Sequence, residues 1–275
     1  MESFKPLITH ESDKPSDAQD QTKNSDSSIK KLKKGVRLVE LWLKRGERVI
    51  TIDGLSACFK IETLSDVYRL NKGFEGKYAR EIIATLKKLG KEGITVNIGA
   101  AQGFYTIYAA LAGNSTIAIE PDPATFEALQ VNVDLNKLTG KVKCIKCAIG
   151  DENGEETLFT DGIRNSAPSF IKTKNKTEEV KVPVFRMDEI IEDNPKVLIV
   201  DVEGYEEKVI RGMGELRPKE IFIEIHPDFL TKIGQDKNSV HKLLFSMGYE
   251  LKSQYQRKTK TAIQLLCHFT LKDNN

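Results

Sequence analysis

The segment from Thr95 to Ile119 constrains the fold of this chain most, because two short apolar runs flank a glycine-containing turn and a helical pattern. Thr95–Ile98 and Thr116–Ile119 have the composition of strands, and Phe104–Ala112 has the length and spacing of a helix. A strand, the tight turn Gly99–Gly103, a helix and a second strand make a βαβ unit, whose two strands lie parallel in one sheet. The chain is therefore predicted to be an α/β protein.

The alternation of strands and helices continues towards the C-terminus. Helices are predicted at Pro123–Asn136, Glu206–Gly212 and Ser239–Met247, and strands at Lys141–Ala148, Lys196–Val200, Glu220–Ile225, Glu250–Gln256 and Thr261–Thr270. The last two strands flank a polar turn and form an antiparallel pair. The pattern predicts a Rossmann-like fold: a mainly parallel sheet with helices on both faces and an antiparallel C-terminal edge strand.

Charge and composition exclude several classes of protein. Lys and Arg total 42 against 40 Asp and Glu, and a net charge of +2 does not favour a nucleic-acid partner. The first residues lack the apolar core of a secretory signal, and no stretch approaches the roughly 18–20 apolar residues of a membrane span. We therefore expect a cytoplasmic protein without a membrane span, whose four cysteines are reduced core residues.

The turn after the first strand of the βαβ unit suggests a cofactor site. Gly99 and Gly103 allow backbone to approach a ligand closely, but G-x-x-x-G lacks the third glycine of the dinucleotide pattern that cradles a pyrophosphate. Glu120 ends the next strand, about 20 residues after Gly99, where a carboxylate accepts hydrogen bonds from ribose hydroxyls. Ribose without pyrophosphate favours S-adenosylmethionine over a nicotinamide dinucleotide.

At these residues the sequence resembles the FkbM-type methyltransferases of the Rossmann-like S-adenosylmethionine-dependent superfamily, from about Val49 to Leu271. The resemblance is carried by Val96 to Thr106, Ala118 to Pro123, Asn132 to Asn136, Ala148 to Asp151, Met187 to Glu189, Val200 to Gly204 and Glu224 to Pro227. It implies a seven-strand methyltransferase fold and transfer of methyl from S-adenosylmethionine, leaving S-adenosylhomocysteine. The acceptor in this family is commonly a hydroxyl of a small molecule or of a sugar-containing molecule.

The resemblance and the strand ends together predict the cofactor-binding residues. They are Asn97, Gly99, Ala100, Gln102, Gly103, Phe104, Tyr105, Thr106, Glu120, Pro121, Asp122, Ala148, Ile149 and Asp201. The family usually has Asp in place of Asn97 and Asn at the position of Ala101. These two departures weaken the expected polar contacts to the methionine part of the cofactor, which Gln102 could replace.

The domain organisation follows from the same pattern. Residues 1–28 are polar and are predicted to be a disordered tail. Residues 29–92 are predicted to form a helix, a β-hairpin and a second helix packed on the catalytic domain, which spans 93–275. The predicted elements of that N-terminal part are a helix at Ile29–Arg48, strands at Arg48–Ile52 and Ala57–Ile61, and a helix at Tyr78–Leu89.

Asp201, Glu224 and His226 are predicted to be catalytic, because they close two strands whose carboxyl ends meet at the ligand-binding edge of the sheet. A hydroxyl nucleophile benefits from a base, and His226 carries the side chain best suited to that role near neutral pH. Glu203 is either functional or a cap of the following helix. These side chains include metal-ligand types without a diagnostic spacing, so no metal is predicted.

Three other functions remain open from the sequence. The Glu120 region also resembles tRNA base N-methyltransferases, although the acidic turn after Asp201 lacks their prolines. A non-catalytic binding protein on the same fold is a second alternative, and a dehydrogenase is a third. The acceptor and the oligomeric state are not determined, Gly162–Phe170 is a candidate lid, and the lysine-rich stretch Lys172–Lys181 is expected to be a loop.

Overall fold

This computed structural model describes residues 45–63, 65–67, 76–162, 164, 167–173, 176–258 and 262–273. The predicted tail at 1–28 and most of the helix predicted at Ile29–Arg48 lie outside the described residues. The end of that predicted helix is wrong, because Gly46 already begins the first strand.

The described elements follow one another as an N-terminal hairpin and then an α/β alternation. The strands are β1 (Gly46–Ile52), β2 (Leu55–Ile61), β3 (Ile94–Ile98), β4 (Ser115–Ile119), β5 (Val142–Ile145), β6 (Ala148–Ile149), β7 (Gly154–Thr160), β8 (Glu178–Phe185), β9 (Val197–Asp201), β10 (Glu220–Ile225), β11 (Tyr249–Lys258) and β12 (Ile263–Leu271). The helices are α1 (Lys77–Leu89), α2 (Phe104–Leu111), α3 (Pro123–Leu135), α4 (Met187–Ile190), α5 (Glu206–Arg211), α6 (Pro227–Lys232) and α7 (Ser239–Ser246).

The main sheet has seven strands in the order β11-β12-β10-β9-β3-β4-β5. β3, β4, β5, β9 and β10 pair in parallel, whereas β12 is antiparallel to both β10 and β11. The predicted Rossmann-like α/β class is confirmed. The antiparallel strand is the C-terminal one, as expected, but it lies second from the edge because β11 occupies the edge position.

The central strands consist mostly of apolar residues because both faces of the sheet are covered. Val197, Leu198, Ile199 and Val200 of β9 are all buried, and so are Ile221, Phe222, Ile223 and Ile225 of β10. Each such side chain contributes roughly 1.5–3 kcal/mol of transfer free energy. The buried runs therefore hold the polar residues at their carboxyl ends in fixed positions.

The predicted strand Lys141–Ala148 is wrong in its extent. β5 ends at Ile145, and Ala148–Ile149 pairs instead with β8 in a separate small sheet ordered β6-β8-β7. A continuous apolar run does not reveal where a strand changes partner, since periodicity records burial and not pairing. The expected loop at Lys172–Lys181 also ends early, because β8 begins at Glu178 and alternates buried valines with exposed residues.

The N-terminal hairpin packs beside α2, the helix of the βαβ unit. The ring of Phe59 stacks on Phe104 at 5.6 Å between centroids. Asn132 and Asn136 of α3 accept hydrogen bonds from the backbone N–H groups of Lys60 and Cys58, both at 2.8 Å. These side chains satisfy backbone groups that would otherwise form an open strand edge, so the hairpin is held next to the cofactor turn.

Among the described residues, the helices are too short or too polar to cross a membrane.

Candidate active site

A pocket of about 370 Å³ opens at the carboxyl ends of β3, β4, β9 and β10. Its volume lies within the usual range of small-molecule sites. The order in which successive strands are added to the sheet reverses between β3 and β9, so the pocket occupies the switch point at which α/β sheets bind ligands. The predicted site residues therefore come together at one edge, as their strand-end positions indicated.

The turn Gly99–Gly103 forms one side of the pocket and lies against β9. Gly99 has φ +73°, and a Cβ there would lie 1.9 Å from the carbonyl oxygen of Asp201. The N–H groups of Gly99 and Ala100 donate to the carbonyl oxygen of Ile119 at 2.9 and 3.0 Å. Only glycine permits this approach, so the turn lies directly against the end of β9 at the pocket floor.

Glu120 connects that turn to the end of β4. Its side chain is buried, Oε2 accepts a hydrogen bond from the N–H of Ala101 at 2.9 Å, and Oε1 accepts one from the N–H of Asp122 at 3.0 Å. Each carboxylate oxygen has a second lone pair for a ligand hydroxyl. The residue predicted to bind ribose thus also shapes the turn, a role that its sequence position did not reveal.

The two positions that depart from the family pattern have distinct local consequences. Asn97 is buried and donates through Nδ2 to Oγ1 of Thr106 at 2.9 Å, so its amide is held on the pocket wall. Ala101 has φ +50°, a left-handed conformation that asparagine tolerates better than alanine. Alanine at position 101 therefore introduces backbone strain and also lacks the polar side chain that asparagine would supply.

Most of the predicted cofactor-binding residues line the pocket. They are Asn97, Gly99, Ala100, Gln102, Phe104, Tyr105, Glu120, Pro121, Ala148, Ile149 and Asp201. Gln102 is 3% exposed, and neither atom of its carboxamide has a partner among the described residues. A buried amide without partners is costly, which favours a ligand contact at this position.

Three predicted residues lie behind the pocket wall. Gly103 precedes α2 with φ +90°, and a Cβ there would lie 2.6 Å from Leu129. Thr106 orients Asn97, and Asp122 caps α3 by accepting hydrogen bonds from the N–H and the hydroxyl of Thr125 at 2.9 and 2.7 Å. Their local motif made them candidates, but Gly103 and Asp122 contact α3 and Thr106 contacts Asn97 of β3, and none of the three lines the pocket.

Three carboxylates line the pocket at the ends of β9 and β10. Asp201 ends β9, Glu203 follows in the connecting turn with φ +51°, and Glu224 lies near the end of β10. All three line the pocket. Glu203 does not cap α5, which begins at Glu206 without a side-chain cap. Because Glu203 has a left-handed backbone at the pocket wall, the turn holds its carboxylate towards the other two.

The surroundings of Glu224 strongly perturb its carboxyl group. Burial, and to a smaller extent the nearby charge of Asp201, raise the pKa of Glu224 to about 8. The guanidinium of Arg257, with its Nη1 atom 3.2 Å from each carboxylate oxygen, opposes that shift. Burial also raises the pKa of Glu203. Glu224 therefore exchanges its proton near neutral pH.

His226 lies behind these carboxylates and is almost fully buried. Its Nδ1 atom is 2.6 Å from Oε1 of Glu206, and its Nε2 atom is 3.4 Å from Oε2 of Glu203. Burial alone lowers the pKa of His226, but the hydrogen bond to Glu206 and the charge of Glu203 outweigh burial and raise it to about 10. A protonated imidazole has no lone pair for another proton, so the geometry does not favour the predicted base role.

Asp201, Glu203 and His226 also offer ligand atoms that lie within 4.8 Å of one another, which is the spacing of a metal site. Binding a cation there requires a neutral Nε2 on the imidazole. Metal binding and protonation of His226 therefore exclude each other.

Several pocket residues were not predicted from the sequence. Arg257 and Gln264 come from the C-terminal strand pair, and Ala167–Phe170 comes from the candidate lid. The hydroxyl of Ser169 donates to the carbonyl oxygen of Glu203 at 2.8 Å, which ties this loop to the carboxylate wall. In the sequence Arg257 lies at a polar turn, and no local signal indicates that its side chain lines a pocket while the neighbouring polar residues face solvent.

Comparison with known proteins places these observations in a family. The model of the methyltransferase FkbM domain matches residues 97–251. Methyltransferase 1 of Beauveria bassiana is 30% identical over 145 residues, which cover 44% of this chain and 58% of that protein, less than two thirds of its length. The hexuronic acid methyltransferase AglP of Haloferax volcanii is 24% identical over 207 residues, covering 73% of this chain and 80% of AglP.

Solved structures include an FkbM methyltransferase from Methylobacillus flagellatus that is 16% identical to this chain. It superposes with a TM-score of 0.44 and covers 64% of this chain and 44% of that one.

Proposed function

Since this chain belongs to the methyltransferase FkbM domain family, we propose that it transfers a methyl group from S-adenosylmethionine to a hydroxyl of a small-molecule or sugar-containing acceptor. The observation that carries the proposal is the pairing of Glu120 with the Gly99 turn at the switch point of the sheet. A buried carboxylate beside an open backbone turn suits a ribose and has no pyrophosphate cradle.

The pocket residues fit S-adenosylmethionine in charge as well as in shape. Glu120 would hold the ribose hydroxyls, and the unpartnered carboxamide of Gln102 offers both a donor and an acceptor to the same ligand. When bound, the cofactor supplies an electrophilic methyl carbon on a positively charged sulfur. Asp201 and Glu203 place negative charge on the side of the pocket that such a cation would face.

The acceptor side of the pocket suits a polyhydroxylated molecule. Asp201 and Glu224 accept hydrogen bonds, while Arg257 and Gln264 donate them at the mouth. One relative in the family, AglP, is named a hexuronic acid methyltransferase, which supports a sugar-type acceptor. A hydroxyl bound between these groups would be oriented by several hydrogen bonds at once, which is the main contribution that an enzyme makes to a displacement reaction.

Glu224 is the proposed base. Its carboxyl lines the pocket, and a pKa of about 8 places its proton exchange close to physiological pH. Asp201 would orient the acceptor hydroxyl, and Glu224 would take the hydroxyl proton as the methyl group is transferred. The walls formed by Ile149, Leu158 and Phe170 exclude water from the reacting atoms.

The test is calorimetric titration with S-adenosylmethionine, using Glu120→Gln as the variant and Glu127→Gln as the control. Glu127 is exposed on α3, so its amide substitution changes charge without touching the pocket. We expect binding that Glu120→Gln weakens by about tenfold or more, since the ribose loses a charge-assisted hydrogen bond. Glu127→Gln should bind like the native protein.

Radiolabelled methyl transfer to a panel of sugars, uronic acids and small phenols then identifies the acceptor. No binding of the cofactor to the native protein would refute the proposal and favour the non-catalytic binding protein. Binding with transfer to a tRNA base, and to none of the panel, would favour the base N-methyltransferase.

A further inference from the structure

Charge is distributed unevenly around the pocket. Four of the lining residues carry carboxylates, and Arg257 is the only cationic side chain that lines the pocket among the described residues. The carboxylates lie at or just after the carboxyl ends of β4, β9 and β10, whereas Arg257 belongs to β11 and pairs with Gln264 of β12. A ligand group with negative charge therefore has one favourable place in this pocket, beside Arg257.

Arg257 contacts Glu224 with only part of its guanidinium. Its Nη1 atom lies 3.2 Å from both carboxylate oxygens, which is longer than the roughly 2.7–2.9 Å of a strong charge-assisted hydrogen bond. The Nε and Nη2 atoms form another edge of the guanidinium and have no partner among the described residues. The side chain of Arg257 is 40% exposed. The ion pair with Glu224 therefore leaves two donor atoms of Arg257 for a further oxygen ligand.

Another arginine of this chain shows how a carboxylate binds that edge. In Arg186, Nε donates to Oδ1 of Asp188 at 3.0 Å and Nη2 donates to Oδ2 at 2.6 Å, so each carboxylate oxygen has its own donor. Such a fork of two hydrogen bonds matches a carboxylate and is not available to a hydroxyl. Since Arg257 presents the same two atoms towards no described carboxylate, a carboxylate of the ligand would complete the fork.

We propose that Arg257 binds a carboxylate of the acceptor, so that the acceptor is a hydroxylated carboxylic acid. This inference rests on the proposed function, because it takes the bound acid to be the molecule that is methylated. The guanidinium separates the ligand carboxylate from Glu224, and Asp201 and Glu203 repel a carboxylate from the interior of the pocket. The acid is therefore bound in one orientation, with a hydroxyl towards Asp201 and its carboxylate at Arg257.

This orientation decides which oxygen of the acceptor is methylated. The hydroxyl oxygen forms a bond to the methyl carbon as the bond from that carbon to sulfur breaks, and the hydroxyl proton passes to Glu224. The carboxylate is held by Arg257 and does not reach the methyl carbon. The product is a methyl ether with a free carboxylate, and not a methyl ester.

The binding test compares acids with neutral molecules of nearly the same shape. The pairs are methyl glucuronide with methyl glucoside, methyl galacturonide with methyl galactoside, and para-hydroxybenzoate with para-hydroxybenzyl alcohol, titrated calorimetrically in the presence of S-adenosylhomocysteine. We expect at least one acid to bind about tenfold or more tightly than its neutral counterpart, which cannot form the charge-assisted fork. The absence of any preference for the acid in all three pairs would overturn the proposal.

The variants Arg257→Gln and Arg257→Lys are compared with Lys258→Gln as the matched control. Arg257→Gln should abolish the preference for the acid, and Arg257→Lys should keep only part of it, because an ammonium has the charge without the fork. Lys258 follows Arg257 in β11, is exposed and does not line the pocket, so its side chain lies on the other face of the strand. Lys258→Gln removes the same charge and should keep the native preference.

The ratio of the two affinities separates acceptor binding from an indirect effect through Glu224. A displaced Glu224 weakens both members of a pair, because both present a hydroxyl to it, whereas loss of the carboxylate site weakens the acid alone. An equal loss of affinity for acid and neutral probe in Arg257→Gln would therefore overturn the proposal.

Radiolabelled methyl transfer to the preferred acid gives a second reading. The label should resist mild alkali, which hydrolyses methyl esters and leaves methyl ethers intact, so a labile label would overturn the proposed orientation. If the acid is preferred but S-adenosylmethionine does not bind, the proposed function fails while the carboxylate site stands. If the cofactor binds and methyl is transferred only to neutral acceptors, the carboxylate site fails while the proposed function stands.

Discussion

Substitution of Gly99 by alanine tests the closest backbone approach in the pocket. The added Cβ would lie 1.9 Å from the carbonyl oxygen of Asp201 and 2.8 Å from its carbonyl carbon. Backbone cannot rotate aside as a flexible side chain can, so β9 and the turn have to separate by about 1 Å. The positive φ of Gly99 adds about 1–2 kcal/mol for an L-residue, and overpacking adds about 1–3 kcal/mol.

We therefore expect Gly99→Ala to lower the free energy of unfolding by about 2–5 kcal/mol. The displacement also moves Asp201 at the pocket floor, and a shift of about 1 Å in aligned groups costs roughly 100-fold in rate. Urea denaturation measures the first effect. Calorimetric titration with S-adenosylmethionine measures the loss of cofactor affinity on the fraction that remains folded.

Gly140→Ala is the matched control. A Cβ at Gly140 meets nothing within 4 Å, and its φ lies outside the left-handed region. This variant should have unchanged stability, or a gain of up to about 1 kcal/mol from a less flexible unfolded chain. The reasoning is refuted if Gly99→Ala unfolds at the same urea concentration as the native protein and binds the cofactor with the same affinity.

Three further outcomes follow from the structure. Ala101→Gly should raise the free energy of unfolding by about 1 kcal/mol in urea denaturation, because glycine removes the strain of a left-handed alanine at φ +50°. Glu224→Gln should reduce kcat by roughly 100-fold or more and abolish its rise through about pH 8, whereas a remaining rise would assign the base elsewhere. The folded pKa values of Glu224 and His226 lie above their ordinary values of 4.5 and 6.5, so the folded state binds more protons than the unfolded state. The stability that these two groups contribute is therefore complete at low pH and is lost as the pH rises through about 8 for Glu224 and about 10 for His226. The urea concentration at the midpoint of unfolding, measured from acid to alkaline pH, should fall accordingly.

Much of the fold could be predicted because its signals are local. Continuous apolar runs predicted β3, β4, β9 and β10, and the ends of the helices and strands differ from the predicted ends by only a few residues. The small sheet containing β6, β7 and β8 was missed because β6 has only two residues, β7 is mostly polar and β8 begins in a lysine-rich stretch. Pairing partners depend on the whole chain, so β5 and β6 could not be separated by their composition.

The meeting of these site residues at one edge of the sheet was predicted for a similar reason, and their roles stay predictions. Gly99, Glu120, Asp201 and Glu224 follow or end buried parallel strands, and parallel strands bring their carboxyl ends to one edge. Residues chosen from the local motif alone, such as Asp122, were less certain, because a side chain near a ligand turn can equally cap a helix.

The sequence by itself determined the α/β class and the carboxylates at the strand ends, since hydrophobic periodicity and glycine positions encode strands and turns directly. Only the tertiary structure decided the ionisation of those groups. His226 meets Glu206, twenty positions earlier in the chain, because β9 and β10 pair in parallel and α5 folds back over them. A proton is held or released according to the charges and burial around it, and these surroundings exist only after distant segments have packed together.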